Sequence, residues 1–84
     1  MALYFLSYDL RKERDYQTLY DELAKFKAVR LLESDWCFQY QKEGASVELR
    51  DHFKSFIDDN DGLIVSEVIY WASYKTEKTP KDLK

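Results

Sequence analysis

The hydrophobic pattern predicts a small α+β domain, with short strands in an antiparallel sheet and two helices on one of its faces. Three observations carry this reading. The apolar period switches along the chain between about two residues, as in strands, and about 3.6, as in helices. Chain breakers are scarce, with two glycines and one proline in 84 residues, so most of the chain belongs in regular structure. Apolar residues make up 45% and aromatic residues 17%, enough for one packed core and, at this length, no second one.

Each element follows in turn. Leu3 to Tyr8 is an apolar run broken only by Ser7. It is too short for a helix and rich in aromatics, as a strand covered on both faces reads. Asp15 stands where an N-cap belongs. Tyr16, Leu19, Tyr20, Leu23 and Ala24 then form the stripe of an amphipathic helix, with Asp21, Glu22 and Lys25 facing water. From Val29 the period is two: Leu32, Ser34, Trp36, Phe38 and Tyr40 on one side, Glu33, Asp35, Cys37 and Gln39 on the other. The polar group Glu33-Ser34-Asp35 divides this stretch into two short strands joined by a hairpin or bend.

Gln41 to Ala45 is a loop, and Ser46 caps a second helix with the stripe Leu49, Phe53, Phe56 and Ile57. Asp58-Asp59-Asn60-Asp61-Gly62 ends it. Acids at a helix C-terminus oppose the macrodipole, and Asn60 or Gly62 suits a left-handed cap. Leu63 to Tyr74 is a long strand-like run with apolar groups on both faces, which points to a central position or a dimer seam and leaves room for a C-terminal strand extension. Residues 75–84 turn to Lys, Thr, Glu and Pro and read as a flexible charged tail, leaving a domain over 1–74. The order strand, helix, strand, strand, helix, strand is the ferredoxin-like βαββαβ arrangement. Its second sheet face needs a cover and its many aromatics are hard to hide, so a homodimer is expected.

Composition narrows the function. A net charge of −3 argues against coating nucleic acid by bulk electrostatics, though not against a local basic patch. The single Cys37 forms no internal disulfide, as expected in a reducing cytoplasm. No signal peptide and no membrane span are expected, because nothing approaches the roughly 18 apolar residues that a span needs.

Short motifs add a resemblance. The first strand ends in Tyr8-Asp9-Leu10, and Arg30 is followed by Ser34 and then Trp36. In these residues and in element order over roughly 3–74, the chain resembles the small CRISPR-associated nucleases that form the dimeric centre of the spacer-integration complex. It departs at Asp35, where that family has a small apolar residue, and at Cys37-Phe38, where it has a glycine. The opening strand is also similar to the toxin-like virulence-associated protein D family, small ferredoxin-like ribonucleases. The resemblance implies a symmetric dimer in which Asp9 of each copy binds one Mg²⁺, or Mn²⁺, for phosphodiester cleavage of DNA or RNA in defence against foreign nucleic acid.

The residues themselves admit two readings at each position. Asp9 suits Mg²⁺, which takes hard oxygen ligands and often only one or two carboxylates; it equally suits a loop acceptor after a strand. Arg11, Lys12 and Arg14 either steer a phosphate backbone toward Asp9 or form a solvated mixed-charge loop. Arg30 either contacts phosphate or pairs with an acid such as Glu33. Ser34 either positions metal-bound water or satisfies the hairpin turn. His52 reads as a helix-surface histidine at the core edge, without a zinc partner, and Cys37 as structural. Asp58, Asp59 and Asp61 fail the calcium-loop pattern, and the basic-Gly-aromatic signature of an RNA-recognition motif is absent. Three readings of function stand: a metal-dependent nuclease or nucleic-acid-binding dimer, a non-catalytic dimeric adaptor that takes a protein partner at the final strand, and a ribonuclease toxin of the virulence-associated protein D type.

Overall fold

The computed structural model describes residues 1–12 and 15–84. Strand β1 (Ala2–Asp9) leads to helix α1 (Gln17–Lys25), strands β2 (Val29–Leu32) and β3 (Asp35–Tyr40), helix α2 (Ser46–Lys54) and strand β4 (Gly62–Val68). The four strands form one sheet in the order β2-β3-β1-β4, every neighbouring pair antiparallel. The chain is an α+β domain. The apolar opening run becomes a central strand, as two-sided burial requires, and the Glu33-Ser34 turn splits the period-two stretch into β2 and β3.

Alternation along β1 decides where the core sits. Tyr4, Leu6 and Tyr8 are buried and join Phe38 of β3, Leu19 and Leu23 of α1, and Leu49 and Phe53 of α2 in one cluster. Both helices therefore bury their stripes against the same face of the sheet. Phe26, just past α1, packs on Phe38 and Phe53 with ring centroids 5.1 and 5.0 Å apart. The Tyr4 hydroxyl lies inside this core and is satisfied there: it donates to Lys42 O at 2.7 Å and accepts from Ala45 N at 3.0 Å. A buried phenol thus fastens the loop that leads into α2.

The helix ends differ from expectation. Ser46 is the first residue of α2 rather than its cap; Ala45 holds the N-cap position and no side chain caps it. Asp15 does accept from Gln17 N at 2.9 Å, beside an N-cap at Tyr16. Neither Asn60 nor Gly62 is left-handed. That conformation falls on Lys27 (φ 57°), just after α1, where Lys27 N donates to Ala24 O and Ala28 N to Leu23 O in a Schellman cap.

The C-terminal third corrects two expectations. The run Leu63–Tyr74 is not one long central strand. β4 stops at Val68, lies at the sheet edge, and leaves Ile69 and Tyr70 81% and 91% exposed. The following chain crosses the sheet face opposite the helices. Trp71, Ala72, Ser73, Thr76, Lys78 and Pro80 line a cavity of about 260 Å³ with Phe5, Leu31, Leu32 and Asp35. Glu77 N donates to Leu31 O at 2.9 Å, and a 3₁₀ turn over Pro80–Asp82 is closed by a capping box between Thr79 and Asp82. The segment expected as a charged tail packs over the part of the second sheet face around Phe5 and Leu31, while Ile64 of β4 stays exposed. The argument that the whole of this face needs a second copy therefore loses part of its premise.

Candidate functional site

The strand tip draws together residues far apart in sequence. β1 ends at Asp9, opposite Gly62, the first residue of β4. The Asp9 side chain is 70% exposed, and Arg11 turns back to donate from Nε to Oδ2 at 3.0 Å. The same guanidinium donates from Nη1 to Asn60 O at 2.9 Å. Gly62 leaves room for it, because a Cβ there would stand 3.1 Å from Arg11 Nη2. Arg11 is thus a clamp between the strand tip and the loop before β4, with its charge directed at Asp9.

Asp61 is the organising residue that sequence reading missed. Its Oδ1 accepts from Arg11 N at 2.7 Å, and its Oδ2 accepts from Tyr16 Oη at 2.7 Å and from Asp58 N at 2.8 Å. One half-buried carboxylate ties the loop after β1, the start of α1 and the loop before β4. The available signal was an acid after Asp58-Asp59-Asn60 and before a glycine, which equally describes a solvated helix end.

Arg30 lies at the other side of Tyr8. Its guanidinium sits 5.1 Å from the Trp36 ring centre and 5.6 Å from that of Tyr20, close enough for cation–π attraction. It donates from Nη2 and Nε to Glu33 O at 2.6 and 3.1 Å, so it pairs with the Glu33 backbone rather than its carboxylate. The Tyr8 hydroxyl accepts from Trp36 Nε1 at 3.1 Å and donates to Glu33 O at 3.3 Å. Burial pushes the Tyr8 phenol above its ordinary range, against the opposing pull of the Trp36 hydrogen bond. Ser34 occupies the hairpin turn, its carbonyl accepting from Tyr8 N at 3.1 Å. Lys12 is exposed, and Arg14 lies outside the described residues. His52 Nε2 meets Glu22 Oε2 at 2.6 Å across the two helices.

The chemistry available at Asp9 follows from this placement. The structure brings Asp9 and Arg11 together and leaves Arg30 and Ser34 on the hairpin. Among the described residues, no three His, Cys, Asp or Glu side chains stand close enough to hold a metal ion. Within one chain Asp9 contributes a single carboxylate, already facing a guanidinium, and Asp61 spends both oxygens on protein donors. This donor set does not fit Mg²⁺ without ligands from elsewhere.

The edge of β4 is the second site. Tyr8 N donates to Ser34 O, so the backbone groups of Tyr8 turn toward β3. Successive residues of a strand point their backbone groups to opposite sides, so Leu3, Phe5, Ser7 and Asp9 turn toward β4, where they face Val68, Ser66, Ile64 and Gly62. Leu63, Val65 and Glu67 then present their N–H and C=O groups to the open edge. Among the described residues β4 pairs only with β1, and its register runs from Gly62 to Val68 without a bulge.

No protein-family model matches this chain, and no solved structure does. Among the described residues, no helix is long and apolar enough to cross a membrane.

Proposed function

We propose that this chain is a ferredoxin-like protein-interaction domain that works by accepting an extended strand along the free edge of β4. The sheet order β2-β3-β1-β4 with both helices against one face supports the ferredoxin-like assignment. One observation carries the interaction reading: β4 is an unblunted edge. Natural edges are protected by lysine, proline, bulges or very short strands. β4 is seven residues long, Gly-Leu-Ile-Val-Ser-Glu-Val, with none of the first three devices. Its one charge, Glu67, is drawn away to accept from Gly44 N at 2.8 Å. Apolar groups flank the edge on both sides, Ile64 and Val47 being 64% and 61% exposed. Backbone bonds would supply affinity, and these side chains the preference for alternating apolar residues.

A display library of extended peptides, selected on the wild-type protein and counter-selected on Ile64→Lys, tests this reading. Enrichment of alternating apolar sequences that fail on the variant is expected. A library that returns no such class, or one indifferent to Ile64→Lys, overturns it.

The nuclease reading retains one favourable observation: exposed Asp9 lies at an open cleft with Ser7, Arg11, Gly62 and Ile64. Metal-dependent cleavage of RNA or DNA by wild type, absent in Asp9→Asn, would restore it over the interaction reading.

A further inference from the structure

We infer that the strand taken up by the β4 edge is β4 of a second copy of this chain, in antiparallel pairing about a two-fold axis at Val65. This inference rests on the edge reading above and names its partner.

The edge can pair with itself in that register along its whole length. A two-fold axis perpendicular to the sheet maps each face onto itself, so every residue must meet one of the same parity. The outward-facing residues are Leu63, Val65 and Glu67, all of one parity. Centring the axis on Val65 sets Val65 against Val65, and Leu63 against Glu67 of the second copy in both directions. Three such pairs, each exchanging two bonds, use every free backbone group of the edge in about six hydrogen bonds. The whole strand from Gly62 to Val68 is engaged, with neither end left over.

Charge and apolar surface agree with this register. Glu67, the only ionisable residue of β4, faces Leu63 and never its own counterpart, so no like charges are opposed. Ile64 lies opposite Ser66 of the second copy and diagonal to the other Ile64, on the side away from the helices. Val47 and Arg50 of α2 stand at the same edge, beside Leu63, Ile64 and Val65. The exposed apolar groups on both sides of the seam are thus covered by one symmetric contact, which closes on itself and cannot propagate into a fibre.

The arrangement also separates the two functional readings. Six residues along a strand lie between Gly62 of one copy and Gly62 of the other, about 20 Å at ~3.4 Å per residue. Each Asp9 is paired with its own Gly62 and sits one strand further from the axis, so the two carboxylates stand at opposite ends of the seam. This dimer does not let them share a metal ion.

Sedimentation equilibrium over roughly 1–500 μM, with amide hydrogen exchange on the same samples, tests the inference. The expected result is a mass that rises to twice that of the chain, with protection of the Leu63, Val65 and Glu67 amides rising in step. Ile64→Lys changes a side chain that already faces solvent and should weaken association at least tenfold while leaving the circular dichroism spectrum unchanged. Val65→Pro removes an outward N–H and is the second blocking variant. A monomer at every concentration, whose edge amides are nevertheless protected by library-selected peptides, would overturn the second copy and leave the edge reading standing. A monomer that those peptides do not protect overturns both. A dimer insensitive to either variant, with unprotected edge amides, places the interface elsewhere and also refutes the inference.

Discussion

Replacing Asp61 by alanine should unfasten the strand tip, and the loss can be worked from the three hydrogen bonds it accepts among the described residues. Arg11 N, Tyr16 Oη and Asp58 N each donate to this carboxylate at 2.7–2.8 Å. Hydrogen bonds to a charged group contribute about 1.5–3 kcal/mol each, so three would sum to roughly 5–9 kcal/mol. Two effects reduce this. The site is half-exposed, so water replaces part of what the donors lose, and removing one acid relieves repulsion from neighbouring Asp58 and Asp59. A net loss of about 2–4 kcal/mol remains, or about 10–25 °C in Tm for a domain of this size. Urea titration at 10 °C, followed by circular dichroism, measures it. Asp61→Asn, which keeps one acceptor oxygen for Arg11 N, should fall in between. Asp59→Ala, an exposed position in the same acidic run, should stay within about 0.5 kcal/mol of wild type. A loss below about 1 kcal/mol for Asp61→Ala, or an equal loss for Asp59→Ala, would refute the assignment of Asp61 as the fastening residue.

Other outcomes test separate parts of the structure. Lys27 holds a left-handed conformation (φ 57°) that costs a side-chain-bearing residue about 1–2 kcal/mol. Lys27→Gly should therefore stabilise the protein by about 0.5–1 kcal/mol after the extra entropy of an unfolded glycine, read as a higher urea midpoint. Burial, with a smaller push from the Asp82 carboxylate, raises the Cys37 thiol to about 11. Iodoacetamide at pH 8 should thus leave Cys37 intact until the protein is unfolded. The sign for stability follows: above the ordinary thiol range the unfolded chain releases this proton first, so stability falls as pH rises toward 11, and Cys37→Ala should remove that part of the slope. Glu48 is held below the ordinary glutamate range by the Tyr40 hydroxyl and then Lys42, which contact its two oxygens at 2.7 and 2.9 Å. Its contribution is present above the ordinary range and lost as pH falls through the depressed value, so Glu48→Gln should flatten the acid limb of a pH–stability curve.

Local pattern carries the α+β class, the order of the elements and most of the buried stripes, although β2 buries Leu31 in place of the expected Leu32 and α1 leaves Ala24 exposed. These are local properties. Period two at Trp36, Phe38 and Tyr40, and period 3.6 at Leu19 and Leu23, report which side of an element meets apolar surroundings, whatever those surroundings are. What each tip and edge meets depends on long-range contacts. Asp9 reads as a ligand or a turn residue until Arg11 folds back onto it, and Asp61 is one acid among several until three donors converge on it. The run beyond Val68 looked like a buried strand because its apolar residues are real. They serve instead in a strap across Phe5 and Leu31, a contact between residues some 40–70 positions apart. Such pairings depend on how the chain closes its long loops, and the closing residues carry no periodic pattern of their own. The strand edge is legible last of all, since whether β4 has one neighbour or two is a property of the sheet and not of its seven residues.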